Sequence, residues 1–431
     1  MKESAGRILI VVQNLPVPLD RRVWLEATTL RDNGYQVSVI CPTSREYPKV
    51  HEVIDNIQIH RYRIPFEARG VLGYAAEFIY AWLQTARLSL RVLRREGFDV
   101  LQACNPPDTY FLLGLLYKLV GKEFIFDHHD LSPEMFSAKF RGRRGLLYHA
   151  LLLLEKLTLK TARVVLVTNE SYRDIALERG HKKAEDVFVV RTGPDLSRLH
   201  PVAPAPELRR DRPFLVCYLG EMCQQDGVDY LLRSAHYLHR TLHRHDVTFV
   251  LIGGGPAVED LKRMSAEMGM TGYLHFTGRI SDEELARYLS TADVCVDPDP
   301  WSEWANNSTM NKILEYMVFA RPIVAFDLKE IHYSARRAAL YARPNDVRHF
   351  AQKINVLLDN PQMRADMGAY GRQRVINELA WVHTHPPLLA AYARVFNRPQ
   401  PLPHLAEART ALALSLRKFE LGGLNCNQVI R

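Results

Sequence analysis

Residues 307–327 read NSTMNKILEYMVFARPIVAFD, and they gather side chains and backbone suited to holding an anion. Ser308 and Thr309 are helix N-cap types set before a helical run, so the amides of Ser308, Thr309, Met310 and Asn311 are expected at a helix start, where negative charge is favoured. Ile313, Leu314 and Met317 recur at helical spacing and form one apolar face. Asn311, Lys312 and Glu315 are left on the other face. Lys312 can add a point charge at the helix start. Glu315 can accept hydrogen bonds from the vicinal hydroxyls of a sugar. Phosphates at the helix start with a ribose one step along describe a site for a nucleoside diphosphate-sugar. The same spacing also describes a capped surface helix with an exposed lysine and glutamate, and spacing does not separate the two.

A second group closes the segment EFIFDHHD at 123–130. In open α/β sheets ligands bind beyond the carboxyl ends of strands, which makes His128, His129 and Asp130 candidates. The competing reading is a structural histidine bonded to backbone. A third candidate is Arg22, in Asp20-Arg21-Arg22-Val23. Asp20 is an N-cap type, which places Arg22 at a helix start facing a cleft, or else pairs it with Asp20 on the surface. Trp301 and Trp304 either line a cleft or cover the loop 298–307. Gly253-Gly254-Gly255 permits close approach of a ligand, although a lone triple glycine is a weak signal.

The elements that must position these groups are legible as two βα series. Apolar runs at 7–13 and 35–41, separated by a helical stretch at 21–33 that ends at Gly34, open the chain as a βαβ unit of a doubly wound parallel sheet. Further strands are expected at 56–64, 98–103, 123–130, 162–168 and 187–191. Helices are expected at 70–96, 108–119 and 145–159. Pro201, Pro204, Pro206 and Pro213 mark a semi-rigid linker at 196–213. A second series starts with FLVCYLG at 214–220 and a helix from 226. It continues with strands at 247–252, 273–278, 293–297 and 322–326 and late helices at 345–358 and 361–378. The first βα turn has no G-x-G-x-x-G, so a dinucleotide site is not expected.

Composition bounds the remaining classes. At 431 residues the chain suits two domains, and 47% hydrophobic residues supply their cores. The net charge is +8, of which +6 falls in residues 1–200 (29 Lys and Arg against 23 Asp and Glu). No nucleic-acid motif accompanies that excess, so an anionic membrane surface or a phosphate-bearing substrate is expected instead. The basic loop KFRGRR at 139–144 precedes a leucine-rich helix, a pattern suited to resting on an anionic bilayer or to a solvated loop ahead of a core helix. The six cysteines (41, 104, 217, 223, 295 and 426) lack metal-type spacing and mostly sit in strand-like runs, which points to a reducing cytoplasm. MKESAGRILIVVQN reads as a first strand rather than a signal peptide, and no apolar run is long enough to span a bilayer.

Several of these motifs, in this order, resemble the retaining glycosyltransferases of family 4, which have the GT-B fold of two Rossmann-like doubly wound domains facing a cleft. The likeness covers roughly residues 7–396. Glu315 matches the second of the family's two glutamates, the one that binds ribose hydroxyls; Asn307 stands where the first is usual. Asp20-Arg21-Arg22-Val23 resembles the D-x-R-V start of a subset of the family. Thr192-Gly193-Pro194-Asp195 resembles its N-G-x-D segment, and residues 381–396 its closing helix back to the first domain. His129 matches a histidine that contacts the donor sugar near the reacting carbon. Arg279 matches a position that contacts the nucleobase. The resemblance thus implies His129 and Lys312 as catalytic groups, and Arg22, Gly220, Gln225, Arg279, Ser308, Thr309, Met310, Asn311 and Glu315 as donor-binding groups, with no metal and no cofactor.

The clearest departure lies after Gly220. The family's Arg and Lys that hold the diphosphate align with Glu221 and Asp226. Two carboxylates there repel a diphosphate unless they point away, as Asp226 does if it caps amides, leaving Gln224 and Gln225 to donate.

The resemblance implies a domain division of 1–195, 196–213 (linker), 214–380, 381–396 (closing helix) and 397–431 (tail). It implies a UDP- or GDP-sugar donor and a hydroxyl acceptor. With the basic, apolar first half, it makes a lipid-linked saccharide the expected acceptor, in exopolysaccharide or O-antigen assembly, on a cytoplasmic protein peripheral to the inner face of the plasma membrane. A non-catalytic sugar-nucleotide-binding or scaffold protein, and a sugar-nucleotide epimerase, are the alternatives on the same fold. The sequence does not specify an oligomeric state.

Overall fold

The computed structural model describes residues 5–65, 70–140, 142 and 144–397. Arg141 and Arg143 of the basic loop, Cys426, and the proline-containing tail from 398 lie outside the described residues. Among the described residues, fourteen strands form two sheets. The first holds β1 (Arg7–Val11), β2 (Gln36–Pro42), β3 (His51–Ile54), β4 (Ile57–Tyr62), β5 (Val100–Cys104), β6 (Glu123–His128), β7 (Val164–Val167) and β8 (Val187–Val189), in the order β3-β4-β2-β1-β5-β6-β7-β8. The second holds β9 (Phe214–Leu219), β10 (Val247–Ile252), β11 (Leu274–Gly278), β12 (Val294–Asp297), β13 (Ile323–Phe326) and β14 (Ala339–Ala342), in the order β11-β10-β9-β12-β13-β14. Every strand pair is parallel except β3 with β4. These are two doubly wound α/β domains, the architecture the sequence implies.

The continuous apolar runs follow from burial on both faces. In β1, Leu9 and Val11 pack with Leu88, Leu113 and Leu159 of the helices on one face. Ile8 and Ile10 pack with Ala27, Leu388 and Ala391 on the other. Helices Gly70–Arg95, Phe111–Lys118 and Leu146–Thr161 therefore form one layer, and helices Arg21–Asp32 and His385–Val395 belong to the opposite one. Strand order reverses between β1 and β5, and again between β9 and β12. The loops beyond these strand ends diverge and leave the crevices where ligands sit in such sheets.

The closing segment is tied in by polar contacts inside the core. The Trp381 indole donates to Thr29 Oγ1 at 2.9 Å, and the Tyr392 hydroxyl donates to Gln102 Oε1. Gln102 Nε2 in turn donates to Glu26 Oε2 at 2.6 Å.

Several elements escaped the sequence pattern. β3 and β4 form an antiparallel hairpin whose turn residues Asp55 and Asn56 have φ of 48° and 61°, a two-residue turn these residue types tolerate. Helices Glu303–Asn307 and Lys329–Ala335 and strand β14 are also additional. The stretch expected as one helix at 361–378 is helix Pro361–Arg374 followed by a widened turn, Val375–Leu379. The linker is held rather than free: the amides of Val202 and Ala205 donate to Ser290 Oγ and Thr291 Oγ1, and Arg209 pairs with Asp293. No described helix is long and apolar enough to cross a membrane.

Replacing Tyr392 with Phe removes the only hydroxyl that reaches Gln102 Oε1 among the described contacts. The variant is expected to lose about 1–3 kcal/mol of stability in a urea titration, the penalty for an unsatisfied buried acceptor. An unchanged midpoint would show that the contact does not hold the closing helix.

Candidate functional site

β6 delivers the first part of the site. Its alternation buries His128, whose Nε2 lies 3.2 Å from the buried Glu155 and whose ring stacks on Phe126; His128 is structural. The next residue, His129, emerges from the strand end. Its amide donates to Asn105 Oδ1 at 2.9 Å, as the Asp130 amide does at 3.1 Å. Its Nδ1 faces Asp127 Oδ2 at 3.3 Å. Burial alone would lower the pKa of the imidazole, but the hydrogen bond and charge of Asp127 outweigh it and carry it up to about 9. His129 is an imidazolium at neutral pH.

Asp127 is a carboxylate despite full burial, because Arg22 and His129 more than offset the desolvation. Arg22 donates to both of its oxygens, to Val190 O at 2.7 Å and to Thr192 Oγ1 at 3.0 Å, and it pairs with Glu26. The reading that pairs Arg22 with Asp20 is thus corrected: Arg22 lines the cleft from a helix start, but as a 6% exposed strut whose guanidinium is taken by Asp127 rather than as a free charge. Asp20 does cap the helix, accepting from the Val23 amide at 3.1 Å. Burial, and then the charge of Asp127, drive the Glu26 carboxyl upward, and Arg22 opposes the rise. Arg21, which sequence reasoning passed over, lines the cleft as well. It bonds Glu315 at 3.3 Å and Asp282 at 2.9 Å across the two domains.

The second domain supplies the central stretch. Helix Asn311–Val318 starts at Asn311, with Met310 as N-cap. Ser308 and Thr309 do not cap it, a correction to the reading from residue type. Ser308 Oγ meets the Tyr172 hydroxyl at 2.9 Å, and Thr309 Oγ1 accepts from Asn169 Nδ2 at 3.0 Å. The two hydroxyls fasten the loop to the other domain. Burial raises the Glu315 carboxyl, and Arg21 opposes the rise.

Lys312 requires the largest correction. It is not a free charge at the helix start: its Nζ lies 3.1 Å from Asp297 Oδ1 and 2.9 Å from Asp299 Oδ2, above the Tyr218 ring. Burial opposes its charge, but the two aspartates hold it well above its ordinary pKa. Burial and the neighbouring Asp297 push Asp299 upward. The pair Asp297-Pro298-Asp299 stands at the end of β12, a visible sequence signal whose link to Lys312 only the fold reveals.

A cavity of about 370 Å³ is lined by Arg22, His129, Asp130, Tyr172, Trp304 and residues 308–311. A neighbouring one of about 400 Å³, sharing Arg21, Thr192 and Asn311, is lined by Glu315, Asp282 and Asp195. The structure thus brings His129, Arg22, Ser308, Thr309, Met310, Asn311 and Glu315 to one cleft. Trp304 lines it, and Trp301 lies outside it. Gly220, Gln225, Arg279 and Lys312 do not line either cavity.

Gly220 lies beside Lys312, whose Cε a Cβ built on it would approach to 3.4 Å. A Cβ built on Gly253 would fall 1.9 Å from Gly220 O, so glycine is required where the ends of β9 and β10 meet. Gln225 sits on the short turn Gln224–Asp226, and Arg279 is exposed beside Gly254. Asp226 turns back to accept the Cys223 amide at 2.8 Å rather than capping the helix that follows. Glu221 is exposed. Among the described residues the ligand atoms of Cys104, Asp127 and His129 converge within 4.8 Å. They do not fit a metal, because Arg22 holds both Asp127 oxygens and burial pushes the Cys104 thiol well up.

Two family models match the chain: "Glycosyl transferase 4-like domain" over residues 19–193 and "Glycosyl transferases group 1" over residues 213–360. The alpha-D-kanosaminyltransferase of Streptomyces kanamyceticus is 24% identical over 361 residues, covering 78% of this chain and 88% of its own. Among solved structures, sucrose-phosphate synthase from Thermosynechococcus elongatus superposes with a TM-score of 0.73 at 19% identity, over 91% of this chain and 99% of its own. Anabaena Alr3699/HepE in complex with UDP-glucose superposes with a TM-score of 0.67 at 16% identity, over 90% and 99%. The solved structures establish likeness of fold.

The proton on His129 gives a direct test. In a histidine-labelled NMR titration the imidazole is expected to titrate near pH 9, and Asp127→Asn to bring it below its ordinary 6.5, because burial then acts without the carboxylate. Since the folded value is the raised one, the stabilisation is complete below about pH 6.5 and is lost as pH rises through about 9. A wild-type His129 titrating at or below 6.5 would sink the assignment.

Proposed function

This chain belongs to the GT-B glycosyltransferases of the group 1 and 4-like type, and from that premise we infer that it transfers a sugar from a nucleoside diphosphate-sugar to a hydroxyl acceptor with retention at the anomeric carbon. The observation that carries this reading is the convergence of Glu315, the helix start at 308–311 and His129 on one cleft between the domains.

In this reading Glu315 takes the ribose hydroxyls, displacing Arg21. The amides at 309–311 face the diphosphate, Arg279 lies at the nucleobase end, and Gly220 and Gln225 approach the phosphates. His129 holds the sugar near the reacting carbon. The acceptor oxygen bonds to the anomeric carbon on the face the diphosphate leaves, and the acceptor's proton passes to the departing phosphate oxygen. Catalysis is then electrostatic, by amides and cations directed at the developing charge. Lys312 contributes to the leaving group directly only if it parts from Asp297 and Asp299. No metal and no cofactor enter this scheme. The base is uracil or guanine; the neighbour from Anabaena was solved with UDP-glucose.

For the acceptor we propose a lipid-linked saccharide, met at the inner face of the plasma membrane by a cytoplasmic, peripheral enzyme of exopolysaccharide or O-antigen assembly. The basic excess of the first 200 residues and the leucines left exposed on its helices support that choice. A non-catalytic sugar-nucleotide-binding protein is the second reading. It is favoured by Glu221 and Asp226 where cations are usual and by the pairing of Lys312 with two aspartates.

A thermal-shift panel of UDP- and GDP-sugars decides between them. Saturation with the correct donor at about 100 times its Kd is expected to add about 2.7 kcal/mol of stability. Glu315→Ala is expected to abolish the shift. Turnover of that donor with an acceptor extract should give a product whose anomeric signal matches the donor's. No shift with any donor sinks the transferase reading. A shift without transfer favours the binding protein, and conversion of donor to another nucleotide-sugar without acceptor identifies an epimerase.

A further inference from the structure

The helix layer that covers one face of the first sheet is apolar on both of its sides. Its inner side packs Leu88, Val92, Tyr117 and Leu159 into the core. Its outer side is also apolar. Ile79, Leu83 and Leu90 form a stripe along helix Gly70–Arg95, at 62%, 57% and 37% exposure. Leu112, Leu115, Leu116 and Leu119 form one on and just past helix Phe111–Lys118, where Leu119 is 83% exposed. Leu146, Leu147 and Leu153 form a third on helix Leu146–Thr161. Ser89 Oγ to the Tyr117 hydroxyl at 2.6 Å joins the first two helices, and Lys118 to Thr161 O joins the second and third. Most of the exposed large apolar side chains among the described residues lie on this one layer. A face of that extent needs a covering partner.

Charge says which partner. These three helices carry Arg87, Arg91, Arg94, Arg95, Lys118, Lys156 and Lys160 against Glu77 and Glu155, and Glu155 is fully buried. Among the described residues no carboxylate lies within ion-pair distance of any of the four arginines, and Arg87 bonds only Gln84. Arg87, Arg91 and Arg95 follow one another at single-turn spacing. With Arg63, His51, His60 and one carboxylate, Glu96, which pairs with His60, they line a groove of about 1050 Å³ alongside the apolar stripe. On the stripe's other flank, Phe78, Trp82, Leu83, Pro107 and Leu112 line an almost wholly apolar groove of about 320 Å³. Pro107 belongs to the same loop as Asn105, which holds the amides of His129 and Asp130.

We propose that the outer face of this three-helix layer docks on an anionic lipid bilayer. The leucine stripes enter the acyl boundary and the arginine groove receives headgroup phosphates. A second copy of this chain fits less well, since two-fold pairing of the face with itself would set arginine against arginine. The described chain ends with helix His385–Val395 on the opposite face of the sheet, away from this layer. The proposal deepens the lipid-linked acceptor reading. It rests on that reading only for why a bilayer is met, and places the loop at 105–109, whose Asn105 holds the His129 and Asp130 amides, beside the membrane side of the domain.

Vesicle flotation of the full-length protein tests it, with phosphatidylcholine vesicles with and without about a third phosphatidylglycerol, the anionic fraction that sets the surface potential. The wild type is expected to float with the anionic vesicles and to be released by salt. L83E/L116E and R87E/R91E should each reduce the bound fraction by roughly tenfold or more, since each cation near the surface and each buried apolar group adds to the affinity. Circular dichroism and the donor-dependent thermal shift should stay at wild-type values in both, which separates failure of docking from failure of the transferase reading. A chain lacking residues 398–431 should float as the full chain does. Absence of flotation, equal flotation of folded L83E/L116E, or loss of flotation on removing the tail would each overturn the proposal. So would a dimer in solution that L83E/L116E dissociates while the wild type ignores vesicles.

Discussion

The buried ion pair between Arg22 and Asp127 is the contact on which the first domain's half of the cleft depends. It joins the start of helix Arg21–Asp32 to the end of β6, and through Val190 O and Thr192 Oγ1 it also fixes the segment that leaves β8. A carboxylate and a guanidinium removed from water are costly, and the cost is offset only because their remaining donors and acceptors are filled. Breaking such a pair from one side costs roughly 3–5 kcal/mol. The chain continues from Arg22 through Glu26 and Gln102 to Tyr392, so the closing helix is wired to the same pair. His129 is oriented and charged by the Asp127 oxygen nearest to it. One polar network thus holds the strand end, the histidine and the returning helix together.

The opposite wall of the cleft is a seam between domains. Asn169 and Tyr172 bond the loop at 307–309, Ser171 bonds Glu330, and Arg191 lies 3.8 Å from Glu330. These contacts explain why Ser308 and Thr309 do not cap the helix that follows: their hydroxyls are engaged by the first domain. Residues 308–311 line the cavity, but the Ser308 amide is taken by Ala305 O as the end of the preceding helix, which corrects the expectation that it is free for an anion. Arg21 spans the cleft at its other end by bonding Glu315 and Asp282, with Arg198 on Asp282 as well. The closed arrangement therefore places a cation of one domain on the carboxylate of the other.

Much of the fold was legible because it rests on local rules. Unbroken apolar runs gave the central strands, and Asp20 before an apolar-periodic stretch gave the helix start. The order of βα units gave two doubly wound sheets. The turn at Asp55-Asn56 could have revealed β3, since two residues tolerant of positive φ between alternating segments signal a hairpin. The site was legible in part. That His129 rather than His128 faces the cleft follows from strand alternation and the strand's end, which sequence places only to within a few residues. That Arg22 reaches it as a bound strut while Arg21 spans it turns on which neighbour meets Asp127, more than 100 residues away. The partners of Lys312 illustrate the same limit. Asp297 and Asp299 are conspicuous at a strand end, but nothing local joins them to a helix more than ten residues on. Pairings across the fold decide where a charge points, and residue type alone does not.

The electrostatics of the cleft are divided unevenly between the domains. Near where a diphosphate is expected, the second domain holds Asp226, the fully buried Asp297 and Asp299 and the exposed Glu221, with one lysine that two of them already hold. Its favourable groups are the uncharged amides at the start of helix Asn311–Val318. The positive charge comes from the first domain, as the His129 imidazolium and the Arg21 guanidinium. On the proposed reading, an open cleft would leave a departing diphosphate facing amides and carboxylates only. Closure brings the two cations to it at the moment water is excluded, when their attraction is strongest. Replacing the usual cations by Glu221 and Asp226 would then make domain closure, rather than donor binding alone, the step that stabilises the leaving group.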